Sequence, residues 1–302
     1  MRKILLATLL STACCAAFAQ DSATVATPPP AMPPPDIVLD GKPAPAAPDA
    51  PATADAAIAR VVAGDWRTPA NVLRDKYRHP AETLGFFGVR EDQTVLEVWP
   101  GAGWYTEILV PLLRERGKYV GIIPKPSGSD ADKASTERGN ARVRTLLASR
   151  PELYDKAELL EVDDASPVLG EPGSADVVLT FRNAHNWVMD GNEQAMFKAF
   201  HAVLRKGGTL GVVDHRAAAD QPPAEMKTSG YLPEAYVIAL AEGAGFELVG
   251  KSEINANPAD TRDWPKGVWT LPPTLSQGEA DREKYLAIGE SDRMTLKFRK
   301  PE

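Results

Sequence analysis

Seven short apolar runs, each closed by Gly, Pro, Asp or a charged residue, set the limits on what this chain can fold into. They span residues 94–98, 118–123, 157–162, 175–181, 209–214, 247–254 and 294–298. Helix-compatible stretches at 105–116, 135–148, 193–204 and 233–244 separate the earlier ones. Strands that alternate with helices need right-handed crossovers, and such crossovers lay the strands parallel with helices on both faces. The pattern predicts an α/β domain with a doubly wound, mostly parallel, seven-stranded Rossmann-like sheet. Short helices are expected ahead of the first run: an Ala-rich one at 54–63, one at 69–77 behind Thr68 with Pro69 in its first position, and one starting at Pro80. They form a small N-terminal helical extension.

The domain occupies 55–302, because the preceding residues cannot build a core. Arg2 and Lys3 precede an apolar run that ends in Ala17-Phe18-Ala19, the pattern of a signal peptide over 1–19 that is cut before Gln20. Export to the periplasm is the expectation, with acylation of Cys14 or Cys15 as the alternative. Both cysteines precede the expected cut, so the mature chain has no thiol for a disulfide or a nucleophile. Residues 20–54 are rich in Ala and Pro, a composition that favours an extended, disordered linker. No later segment offers the roughly eighteen uninterrupted apolar residues of a membrane helix. A net charge of −7 argues against nucleic acid as partner, since phosphate binding needs a basic face. A small molecule is the partner expected; the oligomeric state is not legible.

The first strand runs into Trp99-Pro100-Gly101-Ala102-Gly103-Trp104-Tyr105, a glycine turn that opens a helix. Such a turn lets a ligand approach the backbone and sets a helix N-terminus against an anionic group. A side chain at Gly103 would block that approach.

Glu97 followed by Gly101 and Gly103 resembles the first motif of class I S-adenosylmethionine-dependent methyltransferases, which holds the methionine part of the cofactor. Asp163 and Asp164 follow the third strand, where that family often places an acid near the adenine. The 175–181 run with Arg182 and Asn183 resembles the fourth-strand motif, and in particular that of quinone C-methyltransferases. Residues 204–210 resemble the approach to the fifth strand. The Trp99-Pro100-Gly101 turn, the Phe181-Arg182-Asn183 and Asp214-His215-Arg216 segments, and residues 252–298 also resemble an uncharacterised group of exported methyltransferase-like proteins.

The resemblance implies S-adenosylmethionine as cofactor, an antiparallel last strand, and a cofactor site of Glu97, Trp99, Pro100, Gly101, Ala102, Gly103, Tyr105, Asp163, Asp164 and Asn183. Two residues depart from the family's pattern. Trp99 stands where the first glycine is usual, and the second strand ends at Pro124 instead of a ribose-binding acid, leaving Asp130 or Asp132 to reach back from the following loop.

Ligands of doubly wound sheets bind at the carboxyl ends of the strands. Arg182, His185, Asp214 and His215 gather there and are the candidate catalytic residues. An Asp–His pair can orient an imidazole as general base for an acceptor hydroxyl, amine or acidic carbon. His79 could join His185, His215 and Asp214 in a metal site, although the spacing matches no known ligand motif. His201 reads as an ordinary helix residue. The insertion 255–292 lacks a regular pattern and carries Trp264, Trp269 and Tyr285; together with Tyr231 it is expected to form a lid.

The primary expectation is therefore a methyltransferase acting on a small or envelope-associated acceptor. The alternatives are an exported, non-catalytic small-molecule-binding protein and a His/Asp metal-dependent enzyme, both on the same fold.

Overall fold

The period-two alternation of the apolar runs divides the core into two layers. In the computed structural model, which describes residues 56–219 and 221–302, Val95, Val177 and Leu179 join one buried cluster while Leu96 and Val178 join the other. The expected signal peptide and linker lie outside the described residues.

The strands are β1 (Thr94–Val98), β2 (Lys118–Pro124), β3 (Glu158–Val162), β4 (Ala175–Phe181), β5 (Leu204–His215), β6 (Glu247–Ser252), β7 (Pro265–Val268) and β8 (Arg293–Arg299). Seven of them form one sheet in the order β3-β2-β1-β4-β5-β8-β6, with β7 outside it. Neighbours pair parallel except β8, which runs antiparallel to both β5 and β6. Counted within the sheet alone, the order is 3-2-1-4-5-7-6. This is the Rossmann-like fold of class I methyltransferases.

Four short helices precede the sheet: α1 (Ala56–Val62), α2 (Pro69–Val72), α3 (Asp75–Arg78) and α4 (Pro80–Phe87). Then follow α5 (Thr106–Leu113), α6 (Asp130–Ser149), α7 (Pro151–Tyr154), α8 (Ala184–Asp190), α9 (Glu193–Val203), α10 (Met226–Ser229), α11 (Glu234–Gly243) and α12 (Arg282–Ile288). One layer packs Ile58, Leu84, Phe87, Ile108 and Leu109 from α1, α4 and α5 against the sheet. The other packs Trp187, Phe197, Phe200 and Val237 from α8, α9 and α11.

Several boundaries differ from the expected ones, each for a local reason. The helix expected at 69–77 is broken between α2 and α3, and the bend brings Asp75 onto the buried Arg67 guanidinium at 2.6 and 2.8 Å. Helix α6 starts at Asp130 instead of residue 135, because Ser129 and Asp132 form a reciprocal capping box. Helix α8, which the sequence pattern did not indicate, begins directly after β4. The insertion does contain regular structure, namely β7 and α12.

Candidate functional site

Two adjacent strands end in the same strained way. Trp99 after β1 has φ 53° and Arg182 after β4 has φ 63°, a left-handed conformation that side chains disfavour. Trp99 thus has a backbone conformation that glycine adopts more readily. Such strain costs on the order of 1–3 kcal/mol per residue and persists only where the surroundings enforce it. Asn183 helps to enforce it here, since its Nδ2 donates to the carbonyls of Val98 at 2.9 Å and Trp99 at 3.3 Å. The Trp99 indole also packs edge-on against Trp187, with centroids 5.2 Å apart.

Beside these strand ends lies a cavity of about 150 Å³ whose wall includes Arg74, Arg78, Glu97, Trp99, Gly101 and Arg182. Glu97 is buried, and its Oε2 accepts from Thr106 Oγ1 and Tyr119 Oη, each at 2.8 Å. Burial pushes its pKa up to about 7 against the opposing effect of those two bonds. The wall's Arg74 and Arg78 meet Glu290 from the insertion, which receives Arg74 Nε at 2.6 Å, Arg78 Nε at 3.0 Å and Arg293 Nη1 at 3.2 Å. Burial alone would raise the Glu290 carboxyl, but the surrounding arginines outweigh it and hold the group at about 2. Burial pushes Arg78 down to about 9 and Arg182 down to about 10. Arg74 and Arg78 each keep a buried Nη2 without a partner.

On the other side of the Trp99–Gly101 turn is a more apolar cavity of about 210 Å³, walled by Ile123, Pro124, Thr136, Asn140, Val143 and the turn itself. Asn140 donates to the Pro124 carbonyl at 2.8 Å. Asp130 and Asp132 are not part of its wall: Asp132 is occupied by the Ser129 cap, and Asp130 is fully exposed. Gly101 would meet nothing within 4 Å if it carried a Cβ, whereas a Cβ on Gly103 would lie 2.2 Å from Leu146 of α6. The missing Cβ of Gly103 thus leaves space for Leu146, and its φ of 86° is separately one that side chains disfavour.

A third cavity, about 210 Å³, lies between the ends of β4 and β5 and the insertion. Arg182, His185 and His215 form its base and Trp269, Pro272 and Pro273 its roof. Asp214 is fully buried and accepts from His185 Nδ1 at 2.8 Å, as well as from the N–H groups of His185 at 3.2 Å and His215 at 2.7 Å. A carboxylate on Nδ1 makes Nε2 the basic edge of the ring. The Asp–His pair thus crosses from β5 to α8 instead of joining the sequence neighbours Asp214 and His215. His215 Nδ1 instead meets Ser291 Oγ at 2.5 Å. Burial first, then His185 and the nearby arginines, hold its pKa well below the usual histidine value, so it is neutral.

The ligand atoms of His185, Asp214 and His215 lie within 4.8 Å of one another, and His79 does not join them. Asp214 has three hydrogen bonds already, a pattern that suits an orienting carboxylate better than a metal ligand.

The other expected site residues are placed as follows. Tyr105 stacks on Phe181 at 3.6 Å between centroids, and Ala102 lies on the wall of the arginine-lined cavity with Pro100. Asp163 is exposed and accepts from Ala165 N–H, while the Asp164 carbonyl accepts from Asn192; neither lines a cavity at the turn. Tyr231 is buried with its hydroxyl on Asp260 at 2.9 Å. Trp264 bonds Asp260 and packs on Tyr285, so of the insertion's expected lid aromatics Trp269 is the one in the cavity roof. His201 packs against Phe246. Sequence reasoning missed Arg74, Arg78, Glu290, Arg293 and Asn140. The four-residue spacing of Arg74 and Arg78 in a predicted helix was the one available signal.

No family model and no curated protein matches the chain. Among solved structures it is similar to a SAM-dependent methyltransferase from Aquifex aeolicus, at 20% identity over 66% of this chain and 93% of that one, with TM-score 0.46. It is also similar to the YcgJ protein from Bacillus subtilis, at 14% identity over 73% and 98%, TM-score 0.46. For the cyclase SpnF the values are 17% identity, 79% and 86%, and TM-score 0.49. What the chain has in common with them is the fold, which strand order and the single antiparallel strand define by themselves.

Proposed function

We propose that the chain binds S-adenosylmethionine across the Trp99–Gly101 turn and methylates a small acceptor held between β4, β5 and the insertion. One observation carries this reading: three cavities lie in series along the carboxyl edge and share their walls. Trp99, Pro100, Gly101 and Asn183 separate the apolar cavity from the arginine-lined one, and Arg182 separates the latter from the His185 cavity. The donor set suits the cofactor. Glu97 matches an ammonium group, the orphaned Nη2 atoms of Arg74 and Arg78 match a carboxylate, and the apolar cavity beside Gly101 matches a nucleoside. When bound, the cofactor supplies an electrophilic methyl group.

The remaining chemistry falls to the chain's own residues. His185, oriented by Asp214, accepts the acceptor's proton at Nε2, and the Trp269–Pro273 segment keeps water from the reacting groups. Of the two candidate histidines, His185 is the base in this reading and His215 is not. Export to the periplasm after cleavage before Gln20 belongs to the same proposal, and an envelope-associated or small periplasmic acceptor follows from it. Intact mass of the secreted protein checks the export.

Calorimetry with S-adenosylmethionine and its demethylated product tests cofactor use. Binding is expected, and Glu97→Gln should weaken it about tenfold or more, the worth of a charge-assisted bond. No heat up to millimolar ligand would remove the cofactor from the proposal. With an acceptor in hand, His185→Gln should lower turnover roughly 10²- to 10⁴-fold, with cofactor affinity unchanged.

A further inference from the structure

Arg182 is the one group that faces both the arginine-lined cavity and the His185 cavity. It is partly exposed and lines both cavities. Among the described residues no ion pair joins it. The Glu290 oxygens are taken by Arg74, Arg78 and Arg293, and the Asp214 oxygens by His185 and by the His215 N–H. A guanidinium held by a left-handed backbone in a desolvated wall, with every nearby acid engaged elsewhere, lacks an anion.

The roof of the same cavity has a different character. Trp269, Pro272 and Pro273 present flat, apolar surfaces across from the His185 ring, whose centroid lies 6.1 Å from that of Trp269. Such surfaces favour a planar ring. The cavity, at about 210 Å³, is smaller than the roughly 300 Å³ at which pockets for drug-sized ligands begin. One ring with its substituents is therefore the scale of ligand it holds.

We infer that the His185 cavity takes a small planar acid, with its carboxylate or phosphate on Arg182, its ring beneath Trp269 and Pro272–Pro273, and a hydroxyl toward His185 Nε2. This rests on the reading of that cavity as the acceptor site. The guanidinium fork matches both kinds of anion. An apolar alcohol of the same size would leave Arg182 unpaired and so bind more weakly.

Calorimetry on the full chain with 4-hydroxybenzoate, phenol and phenyl phosphate, each with and without S-adenosylhomocysteine, tests the inference. In the wild type one of the two acids is expected to bind about tenfold or more tightly than phenol, since a bond to a charged group is worth that much. Whichever acid binds more tightly identifies the anion. Arg182→Gln should bring acid and phenol to similar affinities, whether or not S-adenosylhomocysteine is present. Trp269→Ala should weaken acid and phenol alike.

Phenol binding as tightly as both acids would overturn the inference, as would an acid preference that survives Arg182→Gln. Should that variant fail to fold, the wild-type comparison decides alone. S-adenosylhomocysteine binding without either acid sinks this inference and leaves the methyltransferase reading. Acid binding without any nucleoside binding does the reverse.

Discussion

The insertion ends in two neighbouring acids that face very different surroundings. Asp292 accepts from Arg216 at 2.9 Å through both of its oxygens, from Arg262, and from Asn257 N–H at 2.8 Å. Arg216 has a second carboxylate in Glu253, and Asp260 receives Tyr231, Trp264 and the Asp292 N–H. The guanidinium groups of Arg216 and Arg262 thus meet Asp292, Glu253 and, at 3.8 Å, Glu234. Two residues away, Glu290 alone faces Arg74, Arg78 and Arg293, with Arg182 beyond them. The Asp292 cluster is complete and braces the insertion against β5. The Glu290 cluster holds the insertion against the N-terminal helices but keeps positive charge in excess, and that excess lines a cavity. Arginines that each have a carboxylate are sufficiently explained by folding, whereas three arginines on Glu290 alone leave positive charge free for an anionic ligand.

The largest test of that contrast removes each acid in turn. Glu290→Gln leaves buried guanidinium groups without their carboxylate and should cost about 3–5 kcal/mol in urea unfolding. Asp292→Asn leaves Glu253 on Arg216 and should cost less, about 1–3 kcal/mol. Sulfate, compared with chloride at matched ionic strength, should restore part of the loss in Glu290→Gln and none in Asp292→Asn. Equal responses to sulfate would erase the distinction. The same cluster has a pH signature. The folded pKa of Glu290, about 2, lies below its ordinary value of 4.5, so its contribution is full above 4.5 and is lost as pH falls toward 2.

Glu97 sharpens the contrast with the opposite sign. Its folded pKa, about 7, lies above its ordinary 4.5, so between those values the native state holds a proton that the unfolded chain has released. Stability therefore declines as pH rises from about 4.5 to 7 and is flat on either side. Glu97→Gln keeps an acceptor for Thr106 and Tyr119 and removes the buried charge. It should stabilise the protein by roughly 3 kcal/mol at pH 8, since every tenfold change in proton affinity is worth about 1.4 kcal/mol, and by little at pH 4. Thermal melts of both forms across that range check it. A wild-type curve that is flat between pH 4.5 and 7 would mean that Glu97 is hydrated.

The fold was legible because its determinants are local. Apolar runs at 94–98 and 175–181 coincide with β1 and β4, and the glycine turn falls at the end of β1. The sites were legible only as far as strand ends could carry them. Arg182, His185, Asp214 and His215 do meet at one cavity or its margin, but the Asp214–His185 pair depends on α8 starting immediately after β4, a detail that seven residues of mixed polarity did not signal. The Glu290 cluster was invisible because its members are 212 and 216 positions apart, and nothing in the local sequence says that an N-terminal helix will meet the end of an insertion. At Gly103 the sequence suggested a ligand's approach, whereas the neighbour that a Cβ there would meet is Leu146 of α6, a contact between distant segments that no local pattern signals.

The smallest expected effect lies at the outer edge of the balanced cluster. Glu253 takes both ends of the Arg216 fork at 2.8 and 2.7 Å, a bidentate geometry that would be strong if buried. Its side chain is 70% exposed, however, against 1% for Asp292, so water and salt screen the pair while Asp292 keeps Arg216 in position. Glu253→Gln should then cost no more than about 1 kcal/mol, and less at high salt. Denaturant midpoints at low and high salt measure this directly. A loss as large as that of Asp292→Asn, and unaffected by salt, would show that the balanced cluster depends on its outer acid as much as on its buried one, and that exposure does not separate brace from ornament here.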